Sequence, residues 1–256
     1  MQPQALIFDV DGTLADTERD GHRLAFNRAF TEAGLDWHWG IELYGKLLAV
    51  TGGKERMRHY IERYRTDYRP PADFDALIAR LHNAKTRHYT NMLADGGIPL
   101  RPGVARLLRA ARAEGLRLAI ATTTTPANVT ALLEHSLAPD ACSWFEVIAA
   151  GDTVAAKKPA PDIYRYTLKK MRLTPDQCLA FEDSENGLRS ARAAGVKTVV
   201  TVNDYTRDHD FAGAVLVLDH LGDPQQPATV LSGAALNRAP YVTLDVLRAL
   251  CASNNS

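Results

Sequence analysis

Short apolar runs recur along the chain with helically patterned stretches between them: Ala5 to Phe8, Leu116 to Ala121, Phe145 to Ala149, Cys178 to Phe181 and Lys197 to Val202. Strands joined by helical crossovers lie parallel in one sheet with helices on both faces. A strand covered on both faces loses the in-and-out alternation and reads as continuously apolar, as Leu118-Ala119-Ile120-Ala121 and Thr198-Val199-Val200 do. The stretch from Thr17 to Gly97 breaks this rhythm, because its apolar residues fall at helical spacing with no strand among them. It reads as an inserted helical domain. Turn residues mark both of its connections, Asp11-Gly12-Thr13 before it and Gly96-Gly97, Pro99 and Pro102-Gly103 after it, and either could act as a hinge. The expected division is a core of residues 1–16 and 98–256 and a helical unit of residues 17–97. Residues 253–256 are expected to fray.

Composition narrows the function classes. A chain of 256 residues can bury one large core plus a smaller companion without disulfides or structural metal. Lys plus Arg and Asp plus Glu number 30 each, so no net field collects nucleic acid or an anionic membrane. Three cysteines without a CxxC pair, Cys142, Cys178 and Cys251, argue against a disulfide framework and against a zinc site. With no signal-peptide pattern and no run of eighteen apolar residues, a monomeric cytoplasmic protein is expected.

The first strand carries the strongest chemical signal. Residues two apart in extended chain point to one side, so Asp9 and Asp11 project together beyond the carboxyl edge of the sheet, where open α/β folds bind ligands. Two carboxylates ~4 Å apart repel by about 4 kcal/mol at an effective dielectric of 20, which favours a shared proton or a hard cation such as Mg²⁺. Taken alone, Asp-Gly after a strand is equally well a turn. Three further strand ends add polar residues: Thr122, a candidate donor to a phosphoryl oxygen; Lys158, held out of helix by Pro159; and the adjacent pair Glu182 and Asp183. Singly these read as a strand end, a solvated charge and a helix N-cap.

In order, DVDGT (9–13), ATTTT (121–125), KKPAPDIY (157–164) and EDSENG (182–187) resemble the motifs of the haloacid dehalogenase superfamily. The resemblance implies a Rossmann-like parallel sheet with a helical cap, and Mg²⁺ held by Asp9, Asp11, Glu182 and Asp183. It implies Asp9 as nucleophile, Asp11 as general acid and then base, and Thr122 and Lys158 on the transferring group. Dehalogenating relatives lack an acid at the position of Asp11, so phosphoryl transfer is implied instead.

The segment TGGKER (51–56), with Glu18, HNAK (82–85) and residues 123–128, is similar to CbbY-type phosphatases, which act on pentose bisphosphates. That similarity implies substrate contacts at Glu18, Gly52, Gly53, Lys54, Glu55, Arg56, His82, Lys85, Thr123, Thr124 and Asn128. Lys54, Arg56 and Lys85 would hold a second phosphate, and Glu18 and Asn128 would meet sugar hydroxyls. The implied partner is a phosphorylated sugar, with xylulose 1,5-bisphosphate leading. TGGKER is not a Walker A loop, since Leu48 stands at the first glycine position and no Ser or Thr follows Lys54. The run Arg19-Asp20-Gly21 is one residue longer than in relatives, so His22 is given no role, and Asn83 replaces a usual basic residue. A β-phosphoglucomutase-like isomerase and a non-catalytic ligand-binding relative remain the competing readings.

Overall fold

The computed structural model describes residues 2–96, 98–236 and 239–253. Five strands lie at the five apolar runs: β1 (Ala5–Phe8), β2 (Arg117–Ala121), β3 (Val147–Ala149), β4 (Cys178–Glu182) and β5 (Lys197–Thr201). Phe145 falls outside β3, at the end of a 3₁₀ turn over Ala141–Trp144. Two strands were not legible as apolar runs, β6 (Leu216–Leu218) and β7 (Val230–Gly233). β6 is only three residues long, and β7 is an exposed edge strand without the signature of double burial. The sheet order is β3-β2-β1-β4-β5-β6-β7, parallel throughout except for the antiparallel β6–β7 pair.

Register explains why the candidate residues meet. Phe8 stands opposite Ile120 on β2 and Phe181 on β4, so these three strands end level, and the Asp9 amide continues the ladder by donating to the Phe181 carbonyl at 3.0 Å. Alternate side chains feed two cores. Leu6, Phe8, Leu118, Ile120, Leu179 and Phe181 face one side, with Phe8 and Phe181 stacked at 4.4 Å. Ala5, Ile7, Ala119, Ala121, Cys178 and Ala180 face the other, beneath Tyr164 and Leu168. Helices α5 (Val104–Ala113), α6 (Pro126–Ser136) and α9 (Leu244–Ala252) cover the first of these layers, and α7 (Asp162–Met171) with α8 (Glu185–Ala193) the second.

Between β1 and β2 the regular structure of the described chain is helical, as its periodicity predicts, apart from isolated bridges of Ala15 to Asp11 and to Leu100. After a π-helical turn over Glu18–His22 come α1 (Arg23–Glu32), α2 (Ile41–Leu47), α3 (Gly53–Tyr64) and α4 (Phe74–Ala94). These helices bury an aromatic cluster of their own around Trp39, with Phe26 at 4.6 Å and Phe30 at 5.0 Å between ring centres. Tyr89 and Leu93 on α4 join the main core instead. Gly97, read as part of a hinge, and residues 254–256 of the expected frayed end lie outside the described residues. All three cysteines are free, and among the described residues no helix is long and apolar enough to cross a membrane.

Candidate active site

Asp9 and Lys158 meet at the carboxyl edge of the sheet. The Lys158 ammonium donates to Asp9 Oδ1 at 2.7 Å and to Glu182 Oε1 at 2.6 Å, and the Tyr164 hydroxyl also donates to Glu182 Oε1. Burial alone would lower the Lys158 pKa, but Asp9 and Glu182 outweigh it and hold the ammonium charged. Asp9 is pushed up to about 7, first by burial and then by Glu182 and Asp11, against the pull of Lys158. Asp183 is raised well above the carboxylate range by burial, Asp9 and Glu182. Carboxylate oxygens of Asp9, Glu182 and Asp183 lie within 4.8 Å of one another. Lys158 bonds two of these three buried acids, and an all-oxygen donor set of this kind fits a hard divalent cation.

Gly12 makes this packing possible. Its φ is +81°, and a Cβ there would stand 2.3 Å from Asp183 Oδ2 and 2.6 Å from Asn203 Nδ2. Any larger residue in this turn would drive Asp183 off its place. Asn203 donates to Asp183 Oδ2 at 2.7 Å, a contact that carries no motif in the sequence.

The Asp11 carboxylate stands outside the three-acid cluster. Its Oδ1 accepts from the Thr17 hydroxyl at 2.5 Å and meets His22 Nε2 at 2.7 Å. Burial would raise the Asp11 pKa, but His22 and Thr17 reverse the balance and hold it well below the usual range. His22, to which the sequence reading gave no role, is therefore part of the site. His22 closes a π-helical turn over Glu18–His22, from which its ring reaches Asp11. Its ring packs 4.1 Å from that of Tyr89.

Beyond Asp11 a small cavity is lined by Glu18, Arg56, Lys85, Thr123, Thr124 and Asn128. The Lys85 ammonium lies 5.2 Å above Phe26 and 5.3 Å above Tyr89, its pKa lowered to about 8 by burial against the pull of Asp11 and Glu18. Arg56 donates to the Tyr44 hydroxyl at 2.9 Å, and that hydroxyl donates to Glu18 Oε2 at 2.5 Å. Tyr44 thus ties a cation to an acid at the cavity wall. Asn128 Nδ2 donates to Thr124 Oγ1 at 2.9 Å, while its Oδ1 is buried without a partner among the described residues. Gly53 passes so close to His82 that a Cβ would stand 2.9 Å from Nε2. The imidazole is held neutral there, its pKa lowered to about 4 by burial and by Lys85, Lys54 and Lys157.

Lys54, expected with Arg56 and Lys85 on a second phosphate, and Glu55, expected as a substrate contact, both make ion pairs. Lys54 donates to Asp152 Oδ2 at 2.8 Å, and Lys157 lies 3.1 Å from Glu55 and from Asp152. Lys54 lines an adjoining cavity that shares Gly53, His82 and Thr123 with the first but does not include Arg56. The reason is helical geometry, since residues two apart on a helix are about 200° apart around its axis. Arg56 and Lys85 share the cavity with Asp11 and Lys54 does not.

Residues 3–195 match the model of the haloacid dehalogenase-like hydrolases. Protein CbbY, plasmid, of Cupriavidus necator is 51% identical over 96% of each chain, and protein CbbY of Rhodobacter capsulatus is 55% identical over 84% of this chain and 92% of its own. A crystal structure of a CbbY mutant from Rhodobacter sphaeroides in complex with xylulose-(1,5)bisphosphate is 46% identical, covers 86% of this chain and 95% of its own, and superposes with a TM-score of 0.80. On that evidence, and with four motifs converging on one sheet edge, the chain belongs to the haloacid dehalogenase-like hydrolase family, within its CbbY type.

Proposed function

We propose that this phosphatase removes one phosphoryl group from a sugar bisphosphate, xylulose 1,5-bisphosphate being the leading substrate, through an aspartyl phosphate on Asp9 with Mg²⁺ as cofactor. The observation that carries the reading is one cavity system with two anion-binding ends. Lys158 and Thr122 line one cavity with Asp9, Lys85 lines the adjoining one, and Asp11, Glu18 and Arg56 line both. A substrate with phosphates at both ends of a short chain gives a purpose both to Lys158 beside Asp9 and to Arg56 and Lys85 beyond Asp11. The CbbY neighbour that holds xylulose-(1,5)bisphosphate supports the choice of sugar. Residues 17–97 would serve as a cap on the core, excluding bulk water from the acyl phosphate.

Asp9 Oδ attacks phosphorus in line with the sugar oxygen, and Lys158 and the Thr122 hydroxyl hold the transferring oxygens. Asp9, Glu182 and Asp183 would hold Mg²⁺, which supplies positive charge against the phosphoryl oxygens when bound. The arriving phosphate raises the proton affinity of Asp11, which then protonates the leaving alkoxide. After the sugar leaves, Asp11 returns to the ionised state that His22 and Thr17 favour and takes a proton from the attacking water. Glu18 and Asn128 Oδ1, which line this cavity, would accept from sugar hydroxyls.

A phosphate-release screen over sugar mono- and bisphosphates with Mg²⁺ tests the proposal. Release in proportion to loss of xylulose 1,5-bisphosphate is expected; a positional isomer without free phosphate would replace hydrolysis with a mutase. In the same assay Lys85→Met should raise KM for the bisphosphate by about 10- to 100-fold, the worth of one charged hydrogen bond, and leave monophosphate turnover nearly unchanged. Equal losses on both substrates would remove Lys85 from the second-phosphate end.

Mg²⁺ should also act on stability. Without it the three carboxylates repel, so Asp183→Asn should melt higher than wild type in chelator. Saturating Mg²⁺ should raise the wild-type melting temperature and move that of the variant much less. Identical shifts in both proteins would take Asp183 out of the metal site.

A further inference from the structure

Asn203 touches two things at once. Its Nδ2 donates to Asp183 Oδ2 at 2.7 Å, and its Oδ1 accepts from the Tyr205 amide at 2.9 Å. The turn is locked from its other end, because Asn203 N donates to Thr206 Oγ1 at 3.0 Å and Thr206 N to the Asn203 carbonyl at 3.1 Å. The rotamer that faces Asp183 is thereby set by the conformation of residues 203–206.

That same loop is where the core meets the helical segment. The Tyr205 ring stands edge-on to Tyr44 at 6.1 Å and packs against the aromatic cluster of α1 to α4. It lies so close to α2 that a Cβ on Gly45 would stand 3.1 Å from it. Asp204 accepts from Arg19 of the π-helical turn at 3.2 Å. Tyr44 in turn holds Glu18 and Arg56 at the cavity wall. A continuous path of contacts therefore runs from the carboxylate cluster to the substrate cavity through Asp183, Asn203, Tyr205 and Tyr44.

We infer that Asn203 and Tyr205 are positioning residues that couple the seating of residues 17–97 on the core to the orientation of Asp183, so that the metal site is completed only when the helices are docked. The inference rests on the assignment of Asp183 to Mg²⁺. Undocked helices leave Tyr205 without its aromatic wall and Asp204 without Arg19; the turn loosens and Asn203 stops directing Asp183. Docked helices restore both contacts, and the cation is gripped when the substrate is already enclosed.

The test is Mg²⁺ binding measured by calorimetry on wild type, Asn203→Ala, Tyr205→Ala, Tyr205→Phe and the Asn203→Ala/Tyr205→Ala double variant, with melting curves for each. Asn203→Ala should weaken Mg²⁺ binding by about tenfold, as loss of a partner behind a metal-binding carboxylate does. Tyr205→Ala should weaken it several-fold although Tyr205 is not among the three acids, and Tyr205→Phe, which keeps the ring, should bind Mg²⁺ like wild type. The double variant should be no weaker than Asn203→Ala, because the effect of Tyr205 passes through Asn203. Unchanged Mg²⁺ affinity in Tyr205→Ala, or losses that multiply in the double variant, overturn the coupling and leave the proposed reaction standing. A wild-type protein that takes up no Mg²⁺ overturns both.

Discussion

Replacing Asp9 with Asn removes phosphate release by about 10⁵-fold or more in kcat and leaves a folded protein that still takes up its substrate. The amide has the shape of the carboxylate but no charge with which to attack phosphorus, so both halves of the reaction lose their acceptor. Lys158 keeps its second acceptor, Glu182 Oε1 at 2.6 Å, and stays compensated. Asp9 is forced up to about 7 by burial and by its acidic neighbours, so its ionised form burdens the native state, and the variant should melt no lower than wild type in chelator. Rapid quenching into hydroxylamine adds a second readout: wild type yields the hydroxamate of an acyl phosphate during turnover, and the variant yields none. Sustained multiple turnover by the variant would end the assignment of Asp9 as nucleophile. Loss of turnover with a large fall in melting temperature would trace the effect to the fold.

The parts legible in the sequence are those that repeat or that carry a motif. Strands β1 to β5 announced themselves because burial on both faces demands unbroken apolar runs, and their level ends followed from parallel pairing. Asp9, Thr122 and Asp183 are legible because each follows such a run, and Lys158 because it precedes Pro159. What stayed hidden has physical causes. His22 carries no motif, and spacing does not announce that a π-helical turn over Glu18–His22 will bring its ring to Asp11. Lys54 was grouped with Arg56 because they are neighbours in sequence, although a helix sends them apart. Tyr44 and Asn203 lie in segments with no motif, and their partners Glu18 and Asp183 are brought to them by the fold alone. Arg101 belongs to the same group, since most of its acceptors are main-chain carbonyls, which leave no mark on the sequence.

Arg101→Leu should destabilise the protein by about 3–5 kcal/mol, the largest effect expected of any change that touches no substrate. The residue follows the bridge between Ala15 and Leu100, and its guanidinium is buried. It donates to the carbonyls of Gly12, Thr201 (3.0 Å), Val202 (2.5 Å) and Asp219 (2.7 Å), with Nε 3.3 Å from Asp16 Oδ1. One side chain thus fastens the loop after β1 to the ends of β5 and β6, the loop carrying Asp11 to the one carrying Asn203. Leucine fills part of the space and leaves these carbonyls facing an apolar group, each unsatisfied acceptor costing about 1–3 kcal/mol before relaxation. Arg101→Lys keeps the charge that favours ionised Asp183, yet a single ammonium cannot span four carbonyls held by three segments. Urea unfolding should therefore give midpoints in the order wild type, Arg101→Lys, Arg101→Leu, with the leucine variant melting roughly 10 °C below wild type. Activity at temperatures where each variant is folded should fall in the same order, because Gly12 packs directly against Asp183 and Asn203 and any shift of its carbonyl moves all three. A leucine variant that unfolds at the wild-type midpoint would show that the guanidinium only occupies this junction without holding it together.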